Sequence, residues 1–314
     1  MKKQTIAILL TLTALLSISA KAVFATHSGK NIPVAHLPGV QQEPFNYVQP
    51  KPVNGVLKGV IELGATGFNY FVINVDKQKN WELVKVEYGN SLVLEHMANP
   101  SDIRMGLKNY INQMIEASGV PGKNIHFVVS SGADREPQVV KIIAQLRQMK
   151  YVVNTVTAAQ EGAYGLLATM PKDYYGSAFF IDMGSSNTKV AYVENGKTVG
   201  LETIGSKYFE KQVSDEDAYK QVMAVCSKIP AGKKARCFII GGGPFELAKP
   251  VRKEKEQFTI LNEPDSYGKL VADKGQKVKC AVNIYKAIQE ATGCHQFIFD
   301  WNTDFTIGFL LSMK

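Results

Sequence analysis

Two acidic residues each end an apolar segment and are followed by a turn of small residues. Asp182 precedes Gly184-Ser185-Ser186-Asn187, and Glu62 precedes Gly64-Ala65-Thr66-Gly67. Such a turn exposes backbone N–H groups that can hold a phosphate, and the acid at its base can hold a divalent cation against that phosphate. Either segment alone is equally an ordinary β-hairpin. The presence of both indicates an internal duplication, in which two turns grip one polyphosphate from opposite sides of a cleft.

A third carboxylate lies between these two turns in the chain. Glu161 stands at the start of a predicted helix, Ala158–Met170. A carboxylate at this crossover can face the cleft and accept a proton from an attacking water molecule. The alternative is an acid that only complements the positive end of the helix, which is common for a lone glutamate.

Two further turns are candidate parts of the same site. The segment Ser130-Ser131-Gly132-Ala133-Asp134-Arg135 follows an apolar strand and offers hydroxyls, amides and a guanidinium to an anion. The segment Gly241-Gly242-Gly243 ends a predicted strand, Ala235–Ile240, and opens a short helix, so backbone can approach a ligand closely there. A plain turn at the end of a strand is the alternative explanation for each.

The elements that must position these residues follow one order twice. Apolar alternation and turn residues predict a three-stranded meander in each half of the chain, followed by helices and further strands. The predicted meanders are Val56–Leu63, Phe68–Val75 and Trp81–Tyr88, then Ala178–Asp182, Thr188–Glu194 and Thr198–Thr203. This pattern predicts an α/β protein of two similar lobes, at 55–170 and 171–314, with a cleft between them.

The first residues have the pattern of a targeting segment. Lys2 and Lys3 precede an apolar run, Ile6–Ile18, and small residues permit cleavage after Ala22 or Ala25. We therefore predict a signal peptide at 1–25, a Pro-rich leader at 26–54 and a secreted or periplasmic protein. The apolar run is short for a membrane anchor, and no membrane span is expected after cleavage.

Composition restricts the class of protein and of ligand. A chain of 314 residues that is 45% apolar and 20% charged is long enough for one large or two modest globular domains. Signal cleavage removes three lysines and no acid, which lowers the formal charge from +8 to +5. This surplus suits an anionic ligand. We predict no nucleic-acid partner, because the basic run Lys249–Lys255 lacks interleaved aromatic residues, and the sequence carries no signal for an oligomeric state.

All four cysteines lie in the second half of the chain. In an oxidising compartment an even number favours disulfides, and four cysteines allow three connectivities. We favour Cys226–Cys237 with Cys280–Cys294, because each pair closes a local loop. A cysteine metal site is less favoured, since no close Cys-x-x-Cys pair is present.

Taken in order, these segments resemble the actin-like, sugar-kinase and Hsp70 ATPase superfamily, and most of all its exopolyphosphatases and apyrases (ecto-nucleoside triphosphate diphosphohydrolases). The most specific match is Gln160-Glu161-Gly162-Ala163-Tyr164-Gly165, which is similar to the apyrase catalytic segment. Glu62–Gly67 and Asp182–Thr188 are similar to the two phosphate loops, Ser130–Arg135 to the second apyrase signature, and Gly241–Gly243 to the nucleotide-side turn. The resemblance covers roughly Gly55 to the C-terminus.

The resemblance implies two actin-like (ribonuclease H-like) lobes and a role for each segment. Glu161 would be the general base, and Glu62 and Asp182 would hold a water-coordinated Mg²⁺ or Ca²⁺. Loop amides and hydroxyls would cradle the phosphates, namely those of Ala65, Thr66, Gly67, Ser131, Gly132, Gly184, Ser185, Ser186 and Asn187. The predicted reaction is in-line attack of water on a terminal phosphoryl group, helped mainly by positioning and charge neutralisation.

Several residues depart from the family pattern. Glu62 stands where the family usually has Asp, and Ala65 and Thr66 where apyrases commonly have serines. Asn187 and Lys189 replace the Ser and Gln that position the nucleophilic water, so Lys189 either pairs with phosphate or marks the loss of that water. A secreted location favours an apyrase-like hydrolase as the main prediction. An exopolyphosphatase and a non-catalytic protein that binds nucleotide or a protein partner are the alternatives.

Base-stacking residues are harder to place. Phe245, Tyr208 and Tyr267 are the aromatic candidates, and core or surface packing is the more common role for each.

Overall fold

The computed structural model describes residues 45–64, 67–88 and 99–313. The predicted signal peptide, most of the leader and the loop residues Ala65 and Thr66 lie outside these ranges. Eleven strands are found in the described part of the chain: β1 Val56–Gly64, β2 Gly67–Val75, β3 Trp81–Tyr88, β4 Ile125–Val129, β5 Val153–Thr155, β6 Ala178–Met183, β7 Asn187–Glu194, β8 Lys197–Ile204, β9 Arg236–Ile240, β10 Phe258–Ile260 and β11 Phe297–Asp300.

The α-helices of the same described ranges follow the predicted order, with two differences. They are α1 Pro100–Ser118, α2 Pro137–Gln148, α3 Ala158–Thr169, α4 Asp215–Cys226, α5 Gly242–Ala248, α6 Gly268–Lys274, α7 Gln276–Thr292 and α8 Phe305–Ser312. The sequence also predicts a helix around Ser206–Val213, but this segment contains only a 3₁₀ turn, Tyr208–Lys211. Neither β10 nor α6 was predicted, because each is too short to show a periodic pattern.

The strands form two sheets with the same plan. The first has the order β3-β2-β1-β4-β5 and the second β10-β11-β9-β6-β7-β8. In each, an antiparallel meander continues into parallel strands, β1 to β4 to β5 in one and β6 to β9 to β11 in the other. Parallel strands are covered on both faces, which explains why β6 is buried along its whole length. The predicted α/β fold of two similar lobes is confirmed.

Two helices join the sheets. α3, which precedes the lobe boundary predicted at residue 170, packs on β6, β7 and β8 of the second sheet. α8, near the C-terminus, packs on β1 and β2 of the first sheet and also against α3. The helix pair α3–α8 therefore lies between the two sheets, and the exact lobe boundary stays a prediction.

The α3–α8 contact depends on a glycine, which gives a first testable prediction. A Cβ atom on Gly308 would lie 1.8 Å from the carbonyl oxygen of Tyr164. Because the clash is with backbone, we expect Gly308→Ala to lower the free energy of unfolding by about 3 kcal/mol, the upper end of usual overpacking costs. Gly268→Ala is the matched control, since nothing lies within 4 Å of its Cβ position. Equal urea midpoints for the two variants would contradict the close helix contact.

The four cysteines correct a sequence prediction. All four are buried free thiols, so the predicted Cys226–Cys237 and Cys280–Cys294 disulfides are wrong. Cys280 lies in the first turns of α7, whereas Cys294 follows its end, a separation of roughly 18 Å along the helix that no disulfide spans. Cys226 ends α4 and Cys237 lies in β9, and both are buried as free thiols. The thiols act as small core side chains of the second lobe.

The described part of the leader, residues 45–54, has no regular secondary structure but packs against the rest of the protein. The Phe45 ring packs edge-on against Phe238 and Phe258, with centroids 5.5 and 5.1 Å away. Gln49 Nε2 donates to the carbonyl of Trp81 at 2.9 Å. The segment thus contacts both sheets.

The helices of the described residues include none with the length and apolar character that a membrane span requires.

Candidate functional site

One cavity of about 450 Å³ collects most of the predicted site residues. It lies where the two meander turns, the start of α3 and the start of α5 meet. The predicted residues that line it are Glu62, Gly67, Gly132, Glu161, Asp182, Gly184, Ser185, Ser186, Asn187, Gly241 and Gly242. Ser131 contacts this set through hydrogen bonds, whereas Gly243 faces Ala281 and the Met183 sulfur instead. Ala65 and Thr66 lie outside the described residues.

The register of the two hairpins places each acid opposite a polar partner. Glu62 pairs with Asn69 across β1 and β2, and Asn69 Nδ2 donates to Glu62 Oε2 at 2.7 Å. Asp182 pairs with Lys189 across β6 and β7 in the corresponding position. Residues paired across antiparallel strands share a face, so each acid and its partner project together into the cavity. The duplicated hairpins therefore carry a neutral partner in the first lobe and a cation in the second.

Glu161 occupies the junction between the lobes. Thr157 and Gln160 form a capping box that satisfies the start of α3, which leaves the Glu161 carboxylate available for other contacts. Its Oε2 accepts hydrogen bonds from Ser131 N at 2.8 Å and Ser131 Oγ at 2.5 Å. The residue is 2% exposed. A glutamate that only complements the positive end of a helix does not require such contacts across the cleft. These hydrogen bonds fix the Glu161 carboxylate beside both turns.

Lys189 is the second buried charge at this junction. Its Nζ is 2.5 Å from Glu161 Oε1 and 3.5 Å from Asp182 Oδ2, and its side chain is 5% exposed. Burial alone would lower the pKa of Lys189, but the adjacent Asp182 and Glu161 carboxylates outweigh burial and raise it. The ammonium is therefore charged at every physiological pH. In the sequence, Lys189 is visible as a departure from the family pattern, but its position between two acids is not.

The Ser130–Arg135 turn contacts the second phosphate turn, Asp182–Thr188. Asn187 Nδ2 donates to Glu202 Oε1 at 2.7 Å and to Ser131 Oγ at 3.3 Å. A Cβ on Gly132 would lie 3.1 Å from the Cβ of Ser186. These contacts close the floor of the cavity, and they commit the Asn187 side chain to protein partners.

Two further acids line the cavity and were missed in the sequence. Asp300 ends β11, and Asp304 caps α8 by accepting from Thr306 N at 2.8 Å. Burial raises the pKa of each to about 7, and burial also raises the pKa of Glu62 well above its ordinary value. The signal was present, because Phe297-Ile298-Phe299-Asp300 repeats the apolar-strand-then-acid pattern that identified Asp182.

A buried acid with a raised pKa predicts a pH effect on stability. The unfolded pKa of Asp300 is 3.8 and the folded one about 7, so the folded state binds the extra proton. The free energy of unfolding should therefore fall as pH rises from 4 to 7, by up to about 1.4 kcal/mol per pH unit for this proton. Asp300→Asn should flatten that slope in denaturant titrations, whereas the exposed Asp134→Asn should not. Parallel slopes for wild type and Asp300→Asn would contradict the prediction.

The predicted Mg²⁺ or Ca²⁺ site at Glu62 and Asp182 does not fit the residues on the Asp182 side. An ion bound at Asp182 Oδ2 would lie beside the Lys189 ammonium, which is 3.5 Å from that oxygen. Within 45–64, 67–88 and 99–313, no group of three or more His, Cys, Asp or Glu residues is placed to hold a metal ion. The metal requirement therefore stays a prediction.

The far end of the cavity is aromatic. Gly241 has φ +107°, and a Cβ there would lie 2.4 Å from the Met183 carbonyl oxygen, so the turn needs glycine. Beside it, the Phe245 and Trp301 rings lie 5.4 Å apart, and Phe299 and Lys277 complete the wall. Tyr208 and Tyr267, the other predicted stacking candidates, are instead buried in the core of the second lobe.

Comparison with solved structures decides the architecture. The Ppx/GppA enzyme of Aquifex aeolicus is similar over 82% of this chain and 99% of its own, with a TM-score of 0.62 and 16% identity. An exopolyphosphatase from Cytophaga hutchinsonii covers the same shares with a TM-score of 0.58 and 12% identity. The chain has the two-lobed actin-like fold of the Ppx/GppA proteins.

An exopolyphosphatase-like protein matches the Ppx/GppA fold of this chain as well, with a TM-score of 0.58 and 14% identity. No protein-family model matches the sequence, and no curated protein matches it. Likeness at this level of identity establishes the fold alone.

Proposed function

We propose that the cavity binds a linear polyphosphate and hydrolyses its terminal phosphoanhydride bond, as in an exopolyphosphatase. The observation that carries this proposal is the position of Glu161. Its carboxylate is held by Ser131 and Lys189 at the point where the turns of both lobes meet. The likeness to the exopolyphosphatase from Cytophaga hutchinsonii supports polyphosphate over the nucleotide substrate that we predicted first.

In this proposal the chain's own residues do two things. The turns at Gly67, Gly132 and Ser185–Ser186 surround the terminal phosphate with amide and hydroxyl donors. Glu161, which retains lone pairs beside its Ser131 and Lys189 contacts, accepts a proton from the attacking water. The water oxygen bonds to phosphorus, the bridging P–O bond breaks, and the electron pair leaves with the shortened chain. The products are orthophosphate and a polyphosphate one unit shorter.

A nucleoside di- or triphosphate is the second candidate substrate, as in an apyrase. The aromatic wall of Phe245, Phe299 and Trp301 favours it, because a base can stack there while its phosphates reach the two turns. Lys277 lies at the same end and suits a negatively charged ligand.

Phosphate release separates these candidates. The full chain is incubated with long-chain polyphosphate, ATP or ADP, with and without EDTA, and orthophosphate is measured. The proposal expects the highest kcat/KM for polyphosphate and little change for it in Phe245→Ala. Faster release from ATP, lost in Phe245→Ala, would favour the apyrase reading. If the wild-type protein releases phosphate from every substrate no faster than Glu161→Gln does, the chain is a binding protein and not a hydrolase. The samples with EDTA test the predicted Mg²⁺ or Ca²⁺ requirement.

Export of the protein is part of the proposal and depends on the first 25 residues. A mature N-terminus after Ala22 or Ala25, read by mass spectrometry from the extracellular or periplasmic fraction, is the expected result. A chain that keeps Met1 in the cytoplasm would overturn it.

A further inference from the structure

The two duplicated hairpins differ in the residue that is paired with the acid across the strands. In the first, the acid Glu62 faces Asn69 seven residues later, an uncharged donor. In the second, the acid Asp182 faces Lys189 at the same spacing. The two lobes therefore present a carboxylate at the equivalent position, with partners of different charge.

The Lys189 ammonium also contacts a second acid. Its distances of 2.5 Å to Glu161 and 3.5 Å to Asp182 place it between the two carboxylates. Both carboxylates and the lysine are buried, so the contact is screened little by water. The ammonium thus neutralises the position between Glu161 and Asp182.

We infer that Lys189 is a resident cation that excludes divalent metal ions from the Glu161–Asp182 side of the cavity. A divalent ion binds carboxylate oxygens at about 2.0–2.6 Å. An ion that bridges Glu161 Oε1 and Asp182 Oδ2 at that distance would lie beside the ammonium, and the two like charges repel strongly at a buried site. The Lys189 side chain supplies, between Glu161 and Asp182, the positive charge that a bound ion would otherwise supply.

The inference concerns the same cavity as the proposed function but does not depend on turnover. It is measured on the resting protein without substrate. A protein that releases no phosphate can still confirm it, and an active one can still overturn it.

Manganese binding tests the inference. Free Mn²⁺ is followed by electron paramagnetic resonance as it is added to the full chain at pH 7.5. Lys189→Asn gives the second hairpin the partner of the first, and it should bind one Mn²⁺ on the order of tenfold or more tighter than wild type. Lys189→Arg keeps the charge and should match wild type. Lys277→Asn removes the other lysine of the cavity and should change the affinity much less.

Two results would overturn the inference. One is equal Mn²⁺ affinity of wild type and Lys189→Asn, both shown to be folded by circular dichroism. The other is a tight site in wild type that Lys189→Asn weakens. If Lys189→Asn does not fold, the comparison moves to Glu161→Gln and Glu161→Gln/Lys189→Asn, in which one buried acid is already neutral. The double variant should still bind Mn²⁺ more tightly than the single one, and equal affinities would again overturn the inference.

Discussion

Glu161→Gln is expected to lower phosphate release from polyphosphate by about 10²–10⁴-fold, the usual contribution of a general base. Glutamine keeps the shape of the side chain and an oxygen that can accept from Ser131, but it cannot take a proton from water. Lys189 would keep its contact with Asp182, so the fold should persist. The measurement is kcat and KM from orthophosphate release, and the loss should fall on kcat.

Two comparisons make this prediction specific. Glu194→Gln changes an exposed acid at the end of β7 and should leave the rate unchanged. Ser131→Ala removes the hydroxyl donor to Glu161 but keeps the backbone donor, so it should lower kcat less than Glu161→Gln does. A Glu161→Gln protein that is folded and still works at the wild-type rate would rule out Glu161 as the base.

Lys189→Met should give the largest loss of stability, about 3–5 kcal/mol in the free energy of unfolding at pH 7.5. Removing one partner of a buried ion pair leaves the other charge without compensation, and here Glu161 and Asp182 would both lose the ammonium. Chemical denaturation followed by circular dichroism measures the loss. Lys220→Met breaks an exposed pair with Glu216 and should change stability by less than about 1 kcal/mol.

The pH dependence of that loss has a definite sign. Burial already raises the pKa of Asp182 in wild type, although Lys189 opposes the rise. Without the ammonium the folded pKa should rise further above the unfolded value of 3.8, so the folded variant takes up protons as pH falls. The stability gap between Lys189→Met and wild type should therefore shrink from pH 7.5 towards pH 5. A gap that grows on acidification would contradict the ion-pair geometry.

The wild-type lysine makes the complementary prediction at high pH. Because the folded pKa of Lys189 is raised, its stabilising contribution is present below the unfolded value of 10.5 and is lost only as pH rises through the folded pKa. It therefore does not vary across the physiological range, where the buried acids set the pH dependence.

The amino-acid sequence by itself determined the two meanders, their hairpins and the order of most helices. Apolar alternation and turn residues are local properties, and they placed Glu62 and Asp182 at the ends of buried strands. The repeated acid-then-turn segments also indicated a duplicated α/β fold with a cleft. Short or irregular elements such as β10 and α6 escaped detection, because they carry too few residues for a period.

Only the tertiary structure decided which distant side chains meet. Ser131 and Glu161 lie on different elements, and Asp300 and Asp304 come from the far end of the chain, so no local pattern joins them. The predicted disulfides failed for the same reason, since closeness in sequence places Cys280 and Cys294 at opposite ends of one helix. Lys189 was visible as an unusual residue in the sequence. Its position between two carboxylates follows from hairpin register and from the packing of α3 against the second sheet, and both exist only in the folded chain.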